Sequence, residues 1–225
     1  MVPVNGAVLP AYVVADESGS MGAYEAELNN GVASLCERLH SEPMIAAKVR
    51  LAVIGFAQDV QVRLPLSDAR TLTAAPQMRI RGVTNYGAAF TMLGQQIPTD
   101  VRELKAQGYQ VHRPAVFFLS DGLPSDEPAW RNARQQLIDR QVTPTAPNII
   151  ACGIGQAEAQ IISQVATRPE FGFIAVPNCD IGLAISEFFH SLVQSLVQSS
   201  QTLDTQSPRL VVNRPDQFVL AVDEV

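Results

Sequence analysis

Basic charge is scarce in this chain. Its 225 residues carry 16 Lys and Arg against 22 Asp and Glu, a formal net charge of −6. Nucleic acid and anionic membrane surfaces both call for a basic patch, so neither is expected as a main partner. Cysteine is scarce too. Cys36, Cys152 and Cys179 are odd in number and irregularly spaced, which is no disulfide framework; they read as free thiols in a reducing compartment. No stretch reaches the roughly 18–20 apolar residues of a membrane helix. Met1 to Pro10 has neither a basic n-region nor a long apolar run, so a signal peptide is not expected and a cytoplasmic location is. The chain has no Gly-x-Ser-x-Gly elbow and no Walker phosphate loop. No internal repeat is evident.

What is present is enough apolar material for a core: 47% of the residues are hydrophobic. Short apolar runs alternate with helix-like segments. Strands are expected at Pro10–Ala15, Val49–Phe56, Val60–Leu66, Ala115–Leu119, Asn148–Ile154 and Phe171–Val176. The second and third of these join through Gln58-Asp59 as a hairpin. Helices are expected at Met21–His40, Asn85–Ile97, Val101–Gln107, Pro128–Arg140, Ala157–Thr167 and Ile181–Ser199. Leu28, Val32, Leu35 and Leu39 mark the buried face of the first. The alternation predicts an α/β fold: a Rossmann-like, doubly wound, mostly parallel six-stranded sheet with one antiparallel edge strand and helices on both faces. Residues 1–200 would form the domain and 201–225 a tail. Ser199–Pro208 reads as a linker. The rest of the tail is a mobile end, a short hairpin of Leu210–Val212 with Phe218–Val222, or an added strand.

Three short segments carry the candidate chemistry. They are Asp16-Glu17-Ser18-Gly19-Ser20, Gly82-Val83-Thr84-Asn85, and Ser120-Asp121-Gly122. The first and third directly follow apolar strands, and open α/β sheets bind ligands beyond the carboxyl ends of their strands. Two carboxylates (Asp16, Asp121) and three hydroxyls (Ser18, Ser20, Thr84) together suit a hard cation such as Mg2+, with Mn2+ or Ca2+ as substitutes. Taken singly, Thr84 reads as a helix cap and the serines as loop hydroxyls. Glu17, between two ligands, would point outward and tune the charge of the rim. Asp126 stands either behind the ligands or, the more ordinary role, as a cap for the helix opening at Glu127-Pro128.

The order and context of the five residues resemble the metal-ion-dependent adhesion site of von Willebrand factor A (VWA) domains, Asp-x-Ser-x-Ser then Thr then Asp. The resemblance covers about residues 8–200, including Phe117-Phe118-Leu119-Ser120-Asp121-Gly122 and Ile149-Ile150-Ala151-Cys152-Gly153-Ile154-Gly155. It implies a metal bridging the domain to an acidic residue of a partner protein. Within the family the chain is most similar to bacterial TerY-like proteins linked to tellurium resistance, on its Met21-Gly22 turn and its Phe188-Phe189 and Ser-rich final helix. That narrower resemblance implies a scaffold in stress-response signalling beside a protein kinase and a phosphatase. The tail holds no cysteine, so a zinc-binding extension is not expected.

The expected role is therefore binding, not catalysis. The alternative is a metal-dependent phosphatase or hydrolase on a similar fold. Such phosphatases usually want Asp-x-Asp with the first Asp as nucleophile, and position 18 is Ser. His40, His112 and His190 are expected in or beside helices, away from the motif. The acidic pair Asp223-Glu224 would suit the open metal position of a neighbouring molecule.

Overall fold

The computed structural model describes residues 5–222. In chain order, β1 is Ala7–Asp16, α1 Glu25–Ser41, α2 Pro43–Ala46, β2 Val49–Phe56 and β3 Val60–Asp68. There follow α3 Tyr86–Ala106, β4 Gln110–Val111, β5 Ala115–Ser120, α4 Ala129–Ile138 and β6 Asn148–Gly153. The chain ends with α5 Ala159–Val165, β7 Gly172–Ala175, α6 Ile181–Thr202 and β8 Phe218–Leu220.

The strands form one sheet in the order β3-β2-β1-β5-β6-β7-β8, with the short β4 beside the start of β1. β1, β2, β4, β5, β6 and β7 run parallel; β3 and β8 run antiparallel at the two edges. The α/β, mostly parallel architecture is as expected, but the sheet has eight strands instead of six and two antiparallel edges instead of one. Two short strands account for the difference. β4 is only two residues long, and β8 lies in the tail where apolar pattern alone did not separate a strand from a loose end.

All ten residues of β1 are buried, as a strand covered on both faces must be. It contains Pro10, which cannot donate to a ladder. The neighbouring Leu9 N–H donates to the Lys48 carbonyl on the β2 side at 2.8 Å. The Pro10 nitrogen therefore faces the other side, where β1 changes partner from Val111 of β4 to Ala115 of β5. The missing donor falls in that gap.

Right-handed crossovers sort the helices. The step from β1 through α1 to β2 runs one way along the sheet; the steps through α3, α4 and α5 run the other. α3 and α4 pack together on one face, and α1 pairs with α6 on the opposite one. An aromatic cluster lies under the first pair. The Tyr86 ring has Phe56, Phe90, Phe118 and Trp130 around it, centroids 4.9–6.2 Å away. A buried contact ties α3 to the sheet: the Tyr12 hydroxyl donates to Asp100 at 2.8 Å, and Gln96 donates to its other oxygen at 2.7 Å.

Some element boundaries differ from expectation. The segment expected to open the first helix at Met21 is a 3-10 turn, Gly19–Tyr24, and α1 proper begins at Glu25. The helices expected at 85–97 and 101–107 are one, α3, which passes through Pro98. Ile97, Val101 and Leu104 are buried on either side of that proline, and their packing holds the helix where propensity would end it. α6 runs on to Thr202, into the expected linker. Leu210–Val212 forms no strand; it runs beside α6, the Val211 N–H donating to Ser199 Oγ at 2.9 Å and the Asn213 N–H to Ser195 Oγ at 2.9 Å. None of the three cysteines is paired, and burial pushes the Cys36 thiol up to about 11. Asp223 and Glu224 lie outside the described residues.

Candidate metal centre

Asp16 closes β1, and Ser120 closes β5 with Asp121 just beyond it; the two strands are adjacent and parallel, so these side chains meet at one rim of the sheet. Asp16 Oδ1 accepts the Ser18 N–H at 2.8 Å, which curls the loop back over the strand end. Asp16 Oδ2 accepts the Ser120 hydroxyl at 2.6 Å. Ser18 Oγ lies 3.0 Å from Ser20 Oγ, and Ser20 Oγ donates to Asp121 Oδ1 at 2.8 Å. Four of the five predicted residues thus form one hydrogen-bonded chain from Asp16 to Asp121.

Thr84 joins from the second loop. It is buried, and Gly122 lies beside its hydroxyl, near enough that a Cβ there would come within 3.9 Å of Oγ1. Its carbonyl accepts both the Ser125 N–H (2.8 Å) and the Ser125 hydroxyl (2.6 Å). The cap of α3 is Asn85, whose side chain accepts the Ala88 N–H at 2.8 Å. Thr84 therefore is not spent on capping, and its hydroxyl makes no hydrogen bond among the described residues. Asp126 assists the same helix instead of its own. Its carboxylate accepts the Tyr86 N–H (3.2 Å) and Gly87 N–H (2.8 Å), a good place for negative charge at a helix N-terminus. The expected cap at Glu127-Pro128 is not what it does.

Glu17 corrects a prediction more sharply. It does not point outward. It is fully buried beneath the loop, and its N–H extends the strand ladder by donating to the Phe56 carbonyl at 2.7 Å. Arg63 grips both its oxygens (2.8 and 2.9 Å), Arg81 adds a third bond (2.9 Å), and the Arg79 N–H a fourth (2.9 Å). Gly55 leaves the space: a Cβ there would stand 2.1 Å from the Glu17 carboxyl carbon. The same loops are stitched by backbone, Gly19 N–H to the Gly82 carbonyl at 3.0 Å, with Gly82 at φ +43°, a conformation glycine takes readily.

The electrostatics of the two acids follow from this arrangement. Burial pushes the Asp16 carboxyl up to about 6, with Ser120 and Ser18 pulling it back and Asp121 adding a like charge. Burial likewise raises Asp121, partly offset by the Ser20 hydroxyl. Among the described residues neither acid makes an ion pair. The nearby arginines are turned to Glu17. Two buried acids without a counter-charge, ringed by neutral hydroxyls, fit a hard, oxygen-seeking dication. Among the described residues no group of three or more His, Cys, Asp or Glu is placed to hold a metal ion, so a cation at this rim would rest on two acids and the hydroxyls.

Sequence reasoning missed Ser120 and the Glu17–Arg63–Arg81 cluster. Ser120 was marked by its place before Asp121; the cluster joins positions up to 64 residues apart and has no local signal. The histidines stand away from the rim. His40 is in α1 and His190 in α6, and His112 follows β4 at the opposite end of the sheet, beside the end of α6 at Leu203, as expected.

Residues 11–123 match the family model described as the von Willebrand factor type A domain. The chain belongs to the VWA family. Solved structures agree on the fold. Proximal thread matrix protein 1 from the mussel byssus aligns with 18% identity and a TM-score of 0.60, over 85% of this chain and 48% of that one. A von Willebrand factor type A protein of Catenulispora acidiphila aligns with 16% identity and a TM-score of 0.60, over 84% and 43%. The pilus adhesin SpaC of Lactobacillus rhamnosus GG aligns with 13% identity and a TM-score of 0.63, over 85% and 30%. The chain thus spans about half the length of the mussel protein and less of the other two. One structure of the mussel protein is described with zinc occupying its metal-ion-dependent adhesion motif. No curated protein matches the chain significantly.

Proposed function

We propose that this VWA chain is a metal-dependent protein-interaction module. Asp16, Ser18, Ser20, Thr84 and Asp121 are its cation ligands, and an Asp or Glu side chain of a partner protein is the incoming group. The observation that carries the reading is the hydrogen-bonded run from Asp16 to Asp121 with, among the described residues, no basic side chain on either acid. Mg2+ is the proposed ion, with Mn2+ or Ca2+ able to take its place; the zinc described in the mussel protein's motif supports a divalent site. When bound, such an ion supplies a Lewis-acidic position for a carboxylate oxygen, and the neutral hydroxyl ligands keep it electrophilic. The chain's own residues do the rest. Ser120 and the Ser18 N–H fix the Asp16 carboxylate, and Ser20 fixes Asp121. Val83 and Leu123 are exposed on the loops beside Thr84 and Asp121, at 58% and 49%, and offer apolar contact to a protein surface around the acid.

The wider setting follows from the TerY-like resemblance: a cytoplasmic bacterial scaffold in tellurite or chemical stress signalling, working beside a kinase and a phosphatase. It is proposed as a binding role without catalysis.

Calorimetry tests the site. The wild-type chain should bind Mg2+, and Asp16→Ala and Asp121→Ala should each abolish that binding while circular dichroism stays native. Unchanged Mg2+ binding in both variants would sink the assignment. A pull-down with and without chelator tests the role: partners retained equally in chelator would argue against a metal-bridged contact.

A further inference from the structure

A cavity of about 450 Å³ opens at the end of the sheet away from the metal rim. Leu9 lies seven residues before Asp16 in β1, which places the two sites about 23 Å apart at ~3.3 Å per residue. The cavity is walled by the start of β6 at Asn148, the end of α6 at Leu203, and the tail at Leu210. Four arginines line it: Arg113, Arg140, Arg168 and Arg209. That is a quarter of the 16 basic residues of an acidic chain, gathered from four separate segments.

Their charge is barely answered. Among the described residues only Arg168 has a carboxylate in reach, the exposed Glu170 at 3.7 Å. Arg113 donates to the Ala146 carbonyl, which carries no charge. The guanidinium groups of Arg140 and Arg209 make no hydrogen bond and no ion pair among the described residues. Asp204, whose charge reaches His112, is held by Lys48 at 2.7 Å. His112 itself lines the cavity, and its Nε2 is buried with no partner. Burial and the neighbouring Arg140 hold the Arg113 guanidinium below its ordinary range. Arg140, Arg168 and Arg209 stand exposed at the mouth of the recess, while Arg113 lies deeper beside the buried His112 Nε2, which has no partner. A bound polyanion would give these donors a common partner.

We propose that this cavity binds a small molecule carrying two or more phosphoryl groups, of about nucleotide size. Guanidinium forks match phosphate oxygens in paired hydrogen bonds. Arginines from four segments can serve several anionic groups at once. The volume falls within the ~300–1,000 Å³ of small-molecule pockets and exceeds what one oxyanion fills. Leu203, Leu210 and Phe171 provide apolar wall for the remainder of the ligand. A polymer backbone or a bilayer would need a charged stripe or plane; this site is a recess on a chain of net charge −6.

The test uses the full chain, freed of divalent ions by chelation and dialysis so that the other rim takes no part. Pyrophosphate, ADP and sulfate are titrated by calorimetry into wild type, Arg140→Glu, Arg209→Glu and Arg102→Glu. Arg140 and Arg209 are exposed and bonded to no side chain, so their variants should fold, which circular dichroism checks. Arg102 is an exposed arginine of α3 outside the cavity and controls for net charge. Pyrophosphate or ADP should bind wild type at least about tenfold more tightly than sulfate. Each cavity variant should weaken that binding about tenfold or more, the size of one lost charge-assisted contact, while Arg102→Glu leaves it unchanged. Equal affinity for sulfate, equal loss in Arg102→Glu, or no binding of pyrophosphate and ADP would overturn the proposal.

Discussion

Glu17 shows how much a single side chain can do without touching the proposed cation. It is fully buried, and its two partners, Arg63 and Arg81, are 13% and 17% exposed at their side chains. Arg63 comes from β3 and Arg81 from the loop before Thr84, so one carboxylate joins the first ligand loop, the second ligand loop and the edge hairpin. Arg81 also pairs with Asp59, so removing the Glu17 charge strands Arg63, and stranding one member of a buried ion pair costs about 3–5 kcal/mol. Glu17→Gln should therefore lower the unfolding free energy by roughly that amount in urea titrations. Gly55→Ala should do similar harm with the charge intact, because its Cβ would occupy the carboxyl's place. A loss under about 1 kcal/mol in both variants, within the range of exposed pairs, would mean the cluster holds nothing. The five ligand candidates were named from short polar segments beside strands and helices together with their resemblance to the family motif, and the structure brings Asp16, Ser18, Ser20 and Asp121 into one hydrogen-bonded chain. The placement of Glu17 was not legible. Its place between two ligand residues suggested an outward side chain, whereas the ladder to Phe56 carries one residue further and turns it inward over Gly55.

At the scale of elements, the long helices were legible because their apolar periodicity spans several turns, and the short pieces were not. A two-residue strand such as β4 and a 3-10 turn such as Gly19–Tyr24 have no period to read. α3 was read as two helices because Pro98 outweighs its neighbours locally; only the sheet beneath shows why it continues. The α1–α6 pair depends on a detail of the same kind. Gly31 of α1 lies against the Phe189 ring, and a Cβ there would come within 2.0 Å of it. Gly31→Ala should lower stability by about 1–3 kcal/mol through overpacking, against its gain in helix propensity. Gly94 of α3 has nothing within 4 Å of its Cβ direction, so Gly94→Ala should stabilise by roughly 0.4–1 kcal/mol. Chemical unfolding of the two variants side by side checks the pair. The same sign in both would show that packing between α1 and α6 does not decide the outcome at Gly31.

At the scale of the whole molecule, the two proposed sites occupy opposite ends of one mostly parallel sheet, and among the described residues the tail lines only one of them. The C-terminal segment carries Phe218 and Ala221 into the core, pairs β8 with β7, and supplies Leu210 and Arg209 to the arginine-lined cavity. Its apolar residues were visible in the sequence, but β8 is three residues long and needs β7 beside it to be a strand at all. Deleting residues 209–225 should have two effects. Burying a phenylalanine contributes about 1.5–3 kcal/mol, so the loss of Phe218 with its neighbours should lower the urea midpoint by at least that equivalent. The bared edge of β7 would also present unpaired backbone groups, and concentration-dependent association should appear in sedimentation. Mg2+ binding at the far rim should survive, since none of its five candidate ligands lies within the deleted segment. A truncated chain that is as stable and as monomeric as the intact one would show that β8 adds nothing to the fold. One that loses Mg2+ binding while remaining folded would show instead that the two ends of the sheet are coupled.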